Sequence, residues 1–263
     1  MAAGRPARYE AASGSSLFVR RRDFLIGCGC AACLGAADPS LAGIPKGLVE
    51  PHMHFVPHGR GPQVAMTLDA CMGETDMRIL GPLVTNRIPV TIFATKRWLD
   101  NNPPALALLL QHKDLFDIQN HGAMHLPAVI GTEKVYGLEP AGTPDAVVAE
   151  VQNGERAVTA ATGVAPTWYR DATALYSRDA MGLIGELNLQ IAGFSLNGDI
   201  GASVPAGEAH ARISAAKSGD VIISHINQPK RPAGAGVIAG ILALKTRGFG
   251  FVHLDDVTIS RTA

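Results

Sequence analysis

From Val64 onward, short apolar stretches rich in β-branched residues alternate with longer stretches of helical periodicity. That alternation constrains the fold more than any other feature. VAMTL (64–68), VTIFAT (90–95), FDIQN (116–120), PTWY (166–169), QIAGFSL (190–196), DVIIS (220–224) and GFGFVHL (248–254) read as strands. Helices are expected over 77–87 with Pro82 placed to kink it, over 103–112 opening on two prolines, and over 144–163. The last carries Val147, Val148, Val151 and Val158 on one face and closes at Gly163. Further helices are expected after a Ser177 N-cap, over 206–217 and over 235–246. Parallel neighbours need a crossover connection, so this order implies an α/β protein with a mainly parallel sheet. The sheet is either a (β/α) barrel or doubly wound, and both place ligand sites at the C-terminal ends of strands.

The chain has 263 residues, 47% hydrophobic and 17% charged, enough for one large domain, expected over 43–263. Lys plus Arg equals Asp plus Glu at 23 each, which gives no basis for electrostatic capture of nucleic acid. Residues 1–42 differ in character. Arg21-Arg22-Asp23-Phe24-Leu25, the weakly apolar stretch 25–34 and Ser40-Leu41-Ala42 resemble a twin-arginine export segment, placing the protein in the periplasm or cell envelope. The apolar stretch is too short for a bilayer core of about 30 Å, so no membrane span is expected. LIGC ending at Cys28 offers lipidation as a minor alternative. Removal of this segment leaves Cys71 as the single cysteine, so no intramolecular disulfide is expected.

The chemistry-bearing residues fall at strand ends. Asp69 follows VAMTL, His121 follows FDIQN, Arg170 follows PTWY, Asn197 and Asp199 follow QIAGFSL, and His225 follows DVIIS. His121 and His125 form an H-x-x-x-H pair; on a helical turn both imidazoles share a face and can bind one ion, zinc being well suited to imidazole. Asp69 reads as a metal ligand, a general base or a turn residue, and Arg170 as the cation that holds a carboxylate ionised. His225 reads as a general acid or a buried structural histidine.

Five segments, in order, carry a family resemblance: TLDACMG (67–73), HGAMH (121–125), WYRDATA (168–174), GFSLNGD (193–199) and SHINQP (224–229). Together they resemble the polysaccharide deacetylases of the NodB-homology type, carbohydrate esterase family four. The resemblance implies a distorted (β/α) barrel of about seven parallel strands. It also implies metal-dependent removal of acetyl groups from an N-acetylated glycan. His121 and His125 then hold a divalent ion, most simply zinc, and Asp69 is the base. Arg170 orients Asp69, His225 protonates the leaving amine, and Tyr169, Asn197 and Asp199 face the substrate, Asp199 also tuning His225. Trp98, Trp168 and Tyr169 are the candidates for sugar stacking.

The chain departs from the pattern at Ala70, where the family's T-F-D-D-G has its metal-binding aspartate. Cys71, Glu74, Asp76 or Asp69 itself can replace it; Asp76 is the preferred substitute because it keeps a carboxylate. Asp171 follows Arg170 where a proline is usual, and can compete with Asp69 for it. The alternative function is a non-catalytic carbohydrate-binding protein with a degenerate site.

Overall fold

The computed structural model describes residues 44–260, so the expected export segment and Cys28 lie outside the described residues. The strands are β1 (Leu48–Val49), β2 (His54–Val56), β3 (Gln63–Ala70), β4 (Val90–Ala94), β5 (Phe116–Asn120) and β6 (Trp168–Tyr169), then β7 (Tyr176–Ser177), β8 (Gln190–Ile191), β9 (Leu196–Asn197), β10 (Val221–His225), β11 (Gly250–Phe251) and β12 (Thr258–Ser260). The helices are α1 (Met77–Thr85), α2 (Lys96–Asn101), α3 (Pro103–Gln111), α4 (Pro144–Thr162), α5 (Arg178–Glu186), α6 (Ala206–Ser214) and α7 (Ala233–Thr246). None is long and apolar enough to cross a membrane.

Seven parallel strands run in the order β8-β6-β5-β4-β3-β10-β9 and curl into a barrel-like sheet, with β11 pairing in parallel with the start of β3. The expected barrel of about seven parallel strands is therefore present. QIAGFSL, expected as one strand, is two. Its first part pairs with β6 and its second with β10, so the single stretch Gln190–Asn197 forms both ends of the sheet. The switch occurs at Gly193, where an added Cβ would lie 2.0 Å from the Pro51 carbonyl oxygen; only glycine admits that approach.

β3 is an interior strand and almost wholly buried, which is why it reads as apolar apart from Gln63, Thr67 and Asp69. Its outward side chains join those of β4, β5 and β10 against α1, α6 and α7, in a core containing Met66, Leu68, Ile92, Ile118, Ile222, Ile213 and Ile241. A second cluster, with Met53, Phe55, Phe93 and Trp168, fills the barrel's interior side. Local signals matched their elements closely: Gly163 is a left-handed C-cap, and Ser177 caps α5 through the Ala180 N–H. Pro82 lies inside α1 as expected. β1, β2, β7 and β12 carry no comparable pattern because they pair antiparallel outside the main sheet. Trp98, Trp168 and Tyr169 are all at most 2% exposed, so none is a sugar-stacking surface.

Candidate metal centre and active site

Parallel register sets the site. His225 on β10 pairs with Asp69 on β3, and Asp69 in turn pairs with Phe93 on β4. β5 ends at Asn120, whose carbonyl accepts the Arg170 N–H. The strand-end residues thus face one mouth.

On one side is an ion pair. Arg170 Nη1 donates to Asp69 Oδ1 at 2.9 Å and to Thr67 Oγ1 at 2.7 Å, while Nη2 donates to the Gly193 carbonyl at 3.0 Å. The guanidinium also lies 4.3 Å from the centre of the Phe93 ring. Arg170 is wholly buried. Burial alone would push the Asp69 pKa up, but Arg170, with His121 and His225, holds it below the usual carboxylate value. Asp69 is therefore held in its ionised form. Asp171 does not compete for Arg170. Its carboxylate accepts the backbone N–H groups of Ala128 and Thr173, and burial raises its pKa to about 6.

Opposite lie Cys71, His121 and His125, whose ligand atoms are all within 4.8 Å of one another. His121 Nδ1 lies 2.8 Å from the Arg170 carbonyl, which places the proton there and turns Nε2 toward Cys71 Sγ, 3.4 Å away. Burial opposes ionisation of Cys71, yet His121, His125 and His225 bring its pKa well below the thiol norm. Burial likewise opposes charge on His121, but Asp69 and Cys71 raise its pKa to about 9. Neither ring nitrogen of His125 has a hydrogen-bond partner although both are buried. A thiol of lowered pKa, an oriented imidazole and an unpartnered imidazole form a donor set that fits a divalent ion of borderline softness.

Two expectations fail here. The His pair is not on a helical turn: residues 121–129 form a loop after β5, and His125 has a left-handed φ of 67°. Asp76 is not in the cluster. It caps α1, accepting the Arg78 N–H, and its carboxylate is held by the Arg78 side chain at 2.9 and 2.6 Å. Helix capping is the stronger local demand on an aspartate in that position. Glu74 is exposed. Cys71 thus stands where the missing ligand was sought.

Glu150 gave no motif signal, yet it builds this loop. From α4, and 4% exposed, it accepts the N–H groups of Met124, His125 and Leu126 at 2.8, 2.8 and 3.2 Å. Helix and loop meet at Gly154, where a Cβ would lie 2.2 Å from Asn120 Oδ1. The glycine inside a long helix and a glutamate next to Val151 on its apolar side were the sequence clues.

His225 Nδ1 lies 2.9 Å from Asp199 Oδ1, and its N–H donates to Asp199 Oδ2 at 2.7 Å. Burial works against a charged His225, but Asp199 and Cys71 raise its pKa well above the ordinary value. Asp199 is wholly buried behind His225 and has no surface open to a substrate. Asn197 spends its side-chain oxygen on the Ile200 N–H, a turn contact. Tyr169 is wholly buried and packs edge-on to Tyr176, with no access to a substrate.

The chain belongs to the polysaccharide deacetylase family, whose model matches residues 57–192. Similar folds include a peptidoglycan N-acetylglucosamine deacetylase in complex with 4-naphthalen-1-yl-N-oxidanyl-benzamide, at 20% identity and TM-score 0.62, covering 78% of this chain and 90% of that one. A family 4 acetyl xylan esterase from Clostridium thermocellum in complex with a cobalt ion matches at 21% identity and TM-score 0.58, covering 74% and 89%. A CE4 family pseudoenzyme from Bacillus anthracis matches at 16% identity and TM-score 0.60, covering 76% of this chain and 66% of its own length. No curated protein matches the sequence.

Proposed function

We propose that the protein is an exported, metal-dependent hydrolase that removes N-acetyl groups from a polysaccharide or cell-wall glycan, using zinc held by Cys71, His121 and His125. The observation that carries this reading is the pair of unpartnered His125 nitrogens beside a thiol of depressed pKa and the oriented Nε2 of His121. The bound ion supplies Lewis acidity toward the amide carbonyl and the attacking water.

The chain's own residues do the rest. Asp69, kept ionised by Arg170, accepts the proton of the attacking water. Arg170 acts through Asp69 and is itself anchored on Thr67 and the Gly193 carbonyl, so the carboxylate cannot swing away. His225, kept charged by Asp199, donates its proton to the departing nitrogen. The base and the acid are neighbours in register on adjacent strands, which brings both to the same mouth of the sheet.

The test pairs metal content after dialysis with acetate release from N-acetylglucosamine oligomers, for wild type, His121→Ala and Cys71→Ser. One tightly held equivalent and measurable acetate release in wild type are expected, both lost in His121→Ala. Unaltered acetate release by His121→Ala would overturn the reading. The second reading, a glycan-binding protein without turnover, draws support from Ala70 and from the likeness to a pseudoenzyme. Oligosaccharide binding with no acetate release at any supplied metal selects it. Residence in the periplasm or envelope rests on the Arg21-Arg22 segment, and fractionation of expressing cells tests it.

A further inference from the structure

His52 and His54 lie in an extended segment that crosses the closing edge of the barrel. Met53 and Phe55 point into the core at 2% and 3% exposure, so the alternation throws both imidazoles onto the opposite, outer face. The backbone is fixed at each step: Met53 donates to the Phe194 carbonyl, Phe55 donates to the Gly219 carbonyl, and His54 bridges to Asp220. The two Nε2 atoms face each other at 3.1 Å, with the rings nearly perpendicular.

His54 Nδ1 lies 3.4 Å from Asp220 Oδ1. Asp220 is 8% exposed and fixed by Ser195 Oγ at 2.8 Å and the Lys217 N–H at 2.6 Å. A carboxylate there favours the proton on Nδ1 and leaves the Nε2 lone pair directed at His52. Two imidazoles on one tetrahedral zinc, at about 2.0–2.1 Å each, place their nitrogens roughly 3.3 Å apart. The observed spacing needs only a small opening to reach that. His52 is exposed and also lines a groove of about 760 Å³ between this segment and α5, so an ion can enter from solvent.

We propose that His52 and His54 form a second cation site, separate from the Cys71 cluster, that takes a divalent first-row transition ion such as zinc. Asp220 fixes the tautomer of His54, and water fills the remaining positions. With two protein ligands the site is weaker than the three-ligand cluster, and it fills at added ion rather than surviving dialysis.

The test is calorimetric titration of zinc(II) into the full chain, prepared without affinity-tag histidines. Wild type, already holding its tight equivalent, takes up one more, and His52→Ala or His54→Ala weakens that uptake at least tenfold. Asp220→Asn weakens it roughly tenfold. His121→Ala, which empties the other cluster, keeps this equivalent, so failure of the two sites is distinguishable. No added uptake in wild type, or uptake unchanged by both histidine substitutions, overturns the proposal and leaves a hydrogen bond between two imidazoles.

Discussion

The two flanks of the site are built on opposite principles. Around Arg170 the charge is paired: the buried guanidinium is spread over Asp69, Thr67 and Gly193, and stacked on Phe93. Around Cys71 the pairing is left open, with both nitrogens of His125 unpartnered and that residue held in a left-handed backbone conformation. A buried unpartnered nitrogen costs free energy unless something binds it. The first flank therefore serves stability and geometry, and the second leaves donor atoms free.

Substitutions should separate the flanks. The largest effect on stability is expected for Arg170→Met, which leaves Asp69 buried without its cation; a loss of about 3–5 kcal/mol in denaturant unfolding is expected. Glu150→Ala frees three backbone N–H groups and should cost about 1–3 kcal/mol. It should also weaken zinc binding about 10–100-fold through His125, with partial recovery in Glu150→Gln, which keeps an acceptor oxygen.

Acid unfolding gives a third contrast. The folded-state pKa of Asp69 is depressed, so its contribution is full above the usual carboxylate range near pH 4 and is lost as pH falls through the folded value. The unfolding free energy of wild type should thus fall more steeply below about pH 4 than that of Asp69→Asn. His125→Ala should change stability least, within about 1 kcal/mol, while abolishing retention of the ion. A large stability loss in this last variant would erase the distinction between the flanks.

The middle of the main sheet was legible because β3, β4 and β10 are buried on both faces and read as apolar runs; FDIQN was bounded to the residue. Asp69, Arg170, His121 and His225 were legible because strand ends are where such residues converge. The third member of the cluster was not. Preference for a carboxylate pointed to Asp76, but the turn after β3 delivers Cys71 to the histidines and commits Asp76 to α1. Tyr169 and Asn197 were misplaced for a related reason: nearness in sequence to Arg170 and Asp199 says nothing about which way a side chain turns. Glu150 escaped because its role is to bind backbone, which leaves no motif.

The pairing of β3 with β10 also sets an order of assembly. Thr67 Oγ1 donates to the Ile222 carbonyl across 155 residues of chain. Asp69, Cys71, His121, His125 and Arg170 all leave the ribosome before Asp199 and His225, at about 5–20 residues per second. The nascent protein thus carries the Cys71–His121–His125 cluster and the Asp69–Arg170 pair before the Asp199–His225 pair exists. That pairing is slow because of the long loop it must close, and it is the one that brings His225 beside Asp69.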